Sequence, residues 1–204
     1  MSITLPSFIS EFLLVLGHRY LWKGGIEHND ISVTNLMYDK AKNDAGVLND
    51  FDLANVRGCE RPSGTERMGT MPFMALDLLT EDAWAGNVER LYRHDCESFA
   101  WVLLWICSRY DNGAEIKNPP FSQFITFDFL QCYEKKHTCG TEISKIKPTA
   151  SYENYWLAPV RLIEEILIRR LVTELRKAKH EPTDDKVVWN VEDVLKKAGF
   201  NVVL

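Results

Sequence analysis

The stretch His28-Asn29-Asp30-Ile31-Ser32-Val33-Thr34-Asn35, followed by Asp50-Phe51-Asp52, decides how the rest of the chain is interpreted. Asp30 precedes the amide of Asn35 by five positions, and Asp50 follows a further hydrophobic run. A carboxylate can accept or orient the proton of a hydroxyl group. Mg²⁺ prefers oxygen ligands such as carboxylates and amides. The pattern predicts Asp30 as a catalytic carboxylate with Asn35 and Asp50 as metal ligands, although each residue alone also fits an ordinary turn.

Length and composition predict one globular domain spanning residues 1–204. The chain is 46% hydrophobic and 26% charged, close to the values of folded soluble proteins. Its formal net charge of −5 gives no reason to expect nucleic acid or an anionic membrane as a partner. The longest apolar run, Phe99 to Cys107, is too short to span a membrane. We see no signal peptide, because the N-terminal apolar run is interrupted by Glu11.

The five cysteines are an odd number and include no CxxC pair. This usage favours reduced, packed thiols in a soluble intracellular protein of the cytoplasm or nucleus. The nearest candidate for a zinc site combines Cys132, His137 and Cys139. Its spacing is poor for tetrahedral zinc coordination, so we do not expect a zinc site.

Hydrophobic periodicity predicts a mainly helical fold with one small β-hairpin. The predicted helices are residues 7–22, 74–79, 92–110, 121–136, 152–180 and 190–198. Strands are predicted at Leu36–Tyr38 and Gly46–Phe51, joined by a polar turn. Segments 55–71 and 80–91 are predicted as loops, the first of them exposed and mobile. The helix 92–110 is apolar nearly all round and is expected at the centre of the fold.

Four blocks in the chain together resemble the C-terminal lobe of a protein kinase. They are HNDISVTN at 28–35, VLNDFDLA at 47–54, GTMPFMALDLL at 69–79 and HDCESFAW at 94–101. Their order is that of the catalytic loop, the metal-binding turn, the end of the activation segment and the central helix. Asp-Phe-Asp, the DIS after the catalytic position and GTMPFMA resemble the fungal-type protein kinase family in particular. The resemblance covers residues from about 8 to 180 and implies a kinase-like helical lobe with a hairpin at the catalytic loop.

The resemblance implies a role for each matching residue of the reaction centre. Asp30 would be the catalytic carboxylate, and Thr70 would lie beside it near the substrate hydroxyl. Asn35 and Asp50 would bind Mg²⁺ and, through it, ATP. The implied reaction is ATP-dependent phosphoryl transfer to protein Ser or Thr hydroxyls.

Two further acidic residues would have structural roles. Asp77 takes the place of the glutamate in the family's Ala-Pro-Glu block, which is an ion-pair anchor. Asp95 would be the buried carboxylate of the central helix, hydrogen-bonded to the backbone of the catalytic loop. A buried carboxylate needs such donors to be tolerated.

Three departures from the family pattern limit what is expected. Asn29 replaces the arginine that pairs with a phosphorylated activation loop, so activation by loop phosphorylation is not expected. Ser32 replaces a lysine common in Ser/Thr kinases, as it does in the fungal-type pattern. No Gly-rich phosphate loop or V-A-I-K-like strand lysine precedes His28, so we expect the N-terminal lobe to be absent from this chain. ATP and Mg²⁺ binding by these residues alone is therefore expected to be weak or absent.

Two hypotheses of different classes follow. The chain is either the catalytic lobe of a kinase, inactive on its own, or a non-catalytic kinase-like module that binds other proteins. A protein substrate or a partner protein is expected in either case. The face near Leu36, Met37 and Leu48, which an N-terminal lobe would cover, is expected to be exposed and to invite association.

Overall fold

The computed structural model describes residues 17–39, 45–59 and 69–182, together with residues 194 and 196. The described part is mainly helical, as predicted. Its first helix, α1, covers residues 17–23, so the predicted helix 7–22 is helical where it is described and otherwise lies outside the described residues. Of the predicted helix 190–198, only 194 and 196 are described, and both are helical.

In the described ranges, three antiparallel strand pairs accompany the helices. Their strands are β1 (Ile26–Glu27), β2 (Leu36–Asp39), β3 (Ala45–Leu48), β4 (Asn55–Val56), β5 (Tyr110–Asp111) and β6 (Ala114–Glu115). The hairpin β2–β3 confirms the predicted pairing, in the register Leu36↔Leu48. Strand β4 pairs with β1, so the prediction of a loop throughout 55–71 is wrong at its start. The partner strand lies far away in sequence, and local composition therefore gave no sign of it.

Alternation along β2 corrects part of the predicted exposed face. Leu36 is only 7% exposed, whereas Met37 is 49% exposed and Leu48 is half-buried. Successive residues of a strand point to opposite sides, so Leu36 and Met37 cannot share one face. The exposed apolar side chains here are instead Met37 and Val47, which are cross-strand neighbours.

The buried centre of the fold is helix α3. The remaining helices are α2 (Glu81–Trp84), α3 (Tyr92–Arg109), α4 (Phe129–Thr141) and α5 (Leu157–Ala178). Every residue of α3 from His94 to Arg109 is buried, which confirms the prediction of a central helix without a polar face. Its neighbour α5 packs the side chains of Leu162, Ile163 and Ile166 into the same core.

Several element boundaries differ from those predicted. The predicted helix 74–79 is a short 3₁₀ helix, Leu76–Leu79, and the predicted loop 80–91 contains α2. The hydroxyl of Thr80 caps α2 by accepting the Ala83 amide at 3.3 Å. The predicted helix 121–136 is divided into a 3₁₀ turn, Ser122–Phe124, and α4, which Asp128 caps.

Pro159 lies in the first turn of α5. The missing N–H of proline costs little there, because the first N–H groups of a helix lack partners within the helix. None of the helices in the described ranges is long and apolar enough to cross a membrane. All five cysteines are free thiols, and only Cys59 is exposed.

Candidate active site

The loop that carries Asp30 begins where β1 ends. Asn29 adopts a left-handed conformation with φ of 69°, which asparagine tolerates better than most residues. Its side-chain amide donates to the carbonyl oxygens of Glu27 at 3.3 Å and Leu53 at 3.0 Å. Asn29 therefore links this loop directly to the segment that follows Asp50. This link is made where the kinase pattern would have an arginine.

The carboxylate of Asp30 accepts hydrogen bonds from two of the other predicted site residues, Thr70 and Asn35. Its Oδ1 accepts hydrogen bonds from the backbone amide of Thr70 at 2.7 Å and from the Thr70 hydroxyl at 2.8 Å. Its Oδ2 accepts from Nδ2 of Asn35 at 2.9 Å. Three of the four predicted site residues are thus in direct contact. All three donors are electrically neutral, so they orient the carboxylate without cancelling its charge.

Two acceptors fix the orientation of the Asn35 amide. Nδ2 donates both to the Asp30 carboxylate and to the Asp30 carbonyl oxygen, each at 2.9 Å. The amide oxygen therefore points away from Asp30, where the Thr34 hydroxyl donates to it at 3.4 Å. The side chain is buried, and its backbone N–H closes a turn onto Ser32 at 3.1 Å.

Asp50 is connected to this cluster through the backbone. The amide of Asn49 donates to the carbonyl oxygen of Asn35 at 2.9 Å, where the β2–β3 pairing ends. Asp50 itself has φ of 61° and is exposed, and its carboxylate accepts the Asp52 amide at 3.4 Å. No hydrogen bond joins the Asp50 carboxylate to Asp30 or Asn35 in the described structure.

The oxygens of Asn35 and Asp50 fit a magnesium ion chemically. The Asn35 amide oxygen faces away from Asp30, and the Asp50 carboxylate is exposed, so both offer the hard oxygen ligands that Mg²⁺ takes. The described residues contain no cluster of three or more His, Cys, Asp or Glu side chains that could hold a metal ion. Of the side chains considered for zinc, the Cys132 thiol donates to the Met71 carbonyl at 3.5 Å.

The neutral ring of His28 connects the loop that carries Asp30 to the segment that carries Asp50. Its Nε2 lies 3.0 Å from the Asn49 carbonyl, which can only accept, so Nε2 carries the proton. Its Nδ1 then accepts the Asp30 amide at 3.3 Å. Burial lowers the pKa of His28 and outweighs the opposing effect of the hydrogen bond to Asn49. The ring also packs edge-on against Phe51, with 4.7 Å between centroids.

Asp95 supports the backbone of the Asp30 loop, in the structural role that the resemblance implied. Its buried carboxylate accepts Nε2 of His18 at 2.8 Å and the Asn29 amide at 3.5 Å. Burial alone would raise the pKa of Asp95, but the hydrogen bond and charge of His18, with Arg90 and the Asn29 amide, lower it overall. Arg90 also donates to the Asn29 carbonyl at 2.6 Å.

Residues 69–79 bring Thr70 to Asp30 and leave no room at Gly69. A Cβ on Gly69 would lie 3.0 Å from the Asn29 carbonyl oxygen and 3.4 Å from Asp30 Oδ1. Farther along, Asp77 forms ion pairs with Arg93 and Arg170, which fits the anchoring role that the resemblance implied.

Two buried polar side chains, Glu97 and Lys136, also hold the middle of segment 69–79 in place. The Leu76 amide donates to Oε1 of Glu97 at 2.8 Å, and the Lys136 ammonium donates to the Met74 carbonyl. Lys136 is fully buried and lies over the Trp101 ring, 4.4 Å from its centroid. Burial lowers the pKa of Lys136 to about 8 and raises the pKa of Glu97.

Sequence reasoning missed several of these supporting residues. The helices that carry His18, Lys136 and Glu97 have no unusual local sequence pattern. These three side chains support the site through contacts with residues distant in sequence. Gly69 precedes a predicted site residue, but its close approach to the loop has no local signal. His28 was part of the quoted motif without an assigned role.

Comparison with known proteins agrees with the geometry. A family model described as fungal protein kinase matches residues 13–107, a span that contains every residue of the Asp30 cluster. A comparison with curated proteins found no match. Over residues 13–107, the chain is therefore similar to fungal protein kinases.

Proposed function

We propose that the chain is the catalytic lobe of a protein kinase-like phosphotransferase acting on Ser or Thr hydroxyls. The observation that carries this proposal is the convergence of Asn35 and Thr70 on the Asp30 carboxylate. A packing role alone would not require a carboxylate held on two sides by uncharged donors. The family match over residues 13–107 supports the same conclusion.

In the proposed reaction, the substrate hydroxyl oxygen bonds to the γ-phosphorus of ATP while the bond from that phosphorus to the ADP oxygen breaks. Asp30 orients the hydroxyl and takes its proton. Thr70 holds the carboxylate through Oδ1, and Asn35 holds it through Oδ2. Asn35 and Asp50 are the proposed ligands for Mg²⁺, which would neutralise phosphate charge.

The resemblance to kinases also indicates how well the 204 residues should bind ATP and transfer phosphate by themselves. They contain no Gly-rich phosphate loop or strand lysine ahead of Asp30. We therefore propose that tight nucleotide binding needs groups beyond these residues, and that the chain alone binds ATP weakly and transfers phosphate slowly, if at all.

Calorimetry of ATP binding in the presence of Mg²⁺ tests the proposed ligands. We expect weak but Mg²⁺-dependent binding that Asp50→Ala abolishes. The matched control is Asp52→Ala, which removes a neighbouring carboxylate and the same charge but no proposed ligand. Equal losses from the two substitutions, or binding that does not depend on Mg²⁺, would contradict the assignment of Asp50.

A non-catalytic binding module is the second candidate. The observation that favours it is the exposed apolar surface formed by Met37, Val47, Phe51 and Leu53 beside the site. Such surface suits a protein partner, including a complementary half of a kinase domain. Complete absence of ATP binding at millimolar nucleotide, by a chain that is folded by circular dichroism, would favour this candidate over the first.

A further inference from the structure

Helix α5 has a second apolar face on the side away from the core. Its inner face packs Leu162, Ile163 and Ile166 into the core. On the outer face lie four large apolar side chains, each between 42% and 61% exposed. This set, the α5 stripe, consists of Ile168, Leu171, Val172 and Leu175. Their spacing of three, one and three residues places them on one side of the helix, where water would otherwise cover them.

The α5 stripe is symmetric about its own midpoint. Ile168 and Leu175 are equally distant from the point between Leu171 and Val172. In a two-fold interface, residue i contacts residue j of the second copy while j contacts i. Two α5 helices in antiparallel orientation would therefore pair Ile168 with Leu175, and Leu171 with Val172, in both directions.

The charges at the two ends of the stripe select this orientation. Glu164 lies one turn before Ile168 on the side of the stripe, and Lys179, the C-cap residue of α5, follows Leu175 by four positions. An antiparallel pair brings Glu164 of each copy to Lys179 of the other. A parallel pair would bring Glu164 to Glu164, which like-charge repulsion disfavours.

The ion pair that Glu164 makes within one copy does not oppose this arrangement. Arg161 donates to its carboxylate at 2.8 Å, but the pair is three residues apart on an exposed helix surface. Exposed pairs of this kind contribute little to stability, so the carboxylate can exchange or share its partner at small cost.

From this symmetry and charge pattern, we propose that the chain forms an antiparallel two-fold dimer through the α5 stripe. The partner is a second copy of the same chain. One helix pair lies at the small end of specific protein interfaces, so the dimer is weak and depends on concentration. Another exposed apolar surface in the described residues, around Met37 and Val47, is a competing place for self-association.

Sedimentation velocity of the full chain over a concentration series tests the proposal. We expect a monomer–dimer equilibrium that Leu171→Glu weakens by about tenfold or more, because each substitution acts twice in a two-fold interface. The matched control is Met37→Glu, which changes a comparably exposed apolar residue on the β2–β3 hairpin and should leave the equilibrium unchanged. A monomer at every concentration overturns the proposal, as does a dimer that only Met37→Glu weakens.

A charge exchange tests the antiparallel register. Glu164→Lys alone should weaken the dimer, and Glu164→Lys with Lys179→Glu in the same chain should restore it. Failure of the double variant to recover rules out this register. Far-UV circular dichroism checks that each variant is folded. Because the exchange alters only exposed side chains, it remains decisive even if Leu171→Glu disturbs α5.

Discussion

Histidine 94, near the start of α3, should make the stability of the protein depend on pH. The ring is fully buried, and its Nδ1 accepts the Leu91 amide at 3.2 Å, so the proton lies on Nε2. Within the described residues Nε2 has no hydrogen-bond partner, and the Asp77 carboxylate lies 3.6 Å from it. Burial, followed by the charges of Arg93 and Arg90, lowers the pKa of His94 from 6.5 to about 3. The folded protein therefore keeps this ring neutral at pH values where the unfolded chain protonates it.

The sign and size of the effect follow from proton linkage. The stability that neutral His94 provides is complete above pH 6.5 and declines as the pH falls toward 3. Between about pH 7 and pH 5, protonation of the unfolded chain alone should lower the free energy of unfolding by about 2 kcal/mol. The substitution His94→Gln should remove this contribution, while its side-chain oxygen can still accept the Leu91 amide.

Urea unfolding followed by tryptophan fluorescence, at constant ionic strength, measures the difference. Between about pH 7 and pH 5, the wild-type protein should lose about 2 kcal/mol more than His94→Gln. The matched control is His137→Gln, which replaces an exposed histidine on α4 and should keep the wild-type pH dependence. Parallel pH profiles for the wild type and His94→Gln would refute the reasoning, since all other titrating groups are shared.

Three further substitutions test the support of the site. Gly69→Ala should lower stability by about 1–3 kcal/mol and reduce protection of the Thr70 amide in hydrogen exchange, whereas Gly17→Ala, which meets no atom within 4 Å, should do neither. Lys136→Met should cost about 3–5 kcal/mol in urea unfolding, because it removes the buried positive charge that lowers the pKa of the buried Glu97 carboxyl; adding Glu97→Gln should recover much of that loss. Asp77→Ala should cost about 1–3 kcal/mol by thermal unfolding, because Arg93 and Arg170 each lose an ion pair with it; an unchanged midpoint would show that these ion pairs contribute nothing.

The grouping of the candidate site residues was easier to predict from the sequence than the residues that support them. Asp30, Asn35 and Asp50 belong to short patterns whose spacing reflects one loop and one hairpin, so local reasoning could find them. Thr70 required a family resemblance, because nothing within residues 69–79 indicates that the segment folds back onto Asp30.

The errors in the predicted element boundaries also arise from contacts between residues that are distant in sequence. The strand β4 exists only through its pairing with β1, and Leu36 is buried only because the hairpin turns it toward the core. The central helix α3 was predictable because its own composition demands burial on all sides. The roles of Lys136 and Glu97 were not, because both depend on contacts with residues that are distant in sequence.

The sequence separations across the site have a consequence for folding kinetics. The hydrogen bonds that define it join residues 40 positions apart for Asp30 and Thr70, 66 apart for Asn29 and Asp95, and 77 apart for His18 and Asp95. Contacts of such high sequence separation form slowly, because the chain between them must be ordered first. During synthesis the site cannot assemble until Asp95 has left the ribosome. The site should therefore appear together with α3 in a refolding experiment, and local unfolding of that helix should dismantle it.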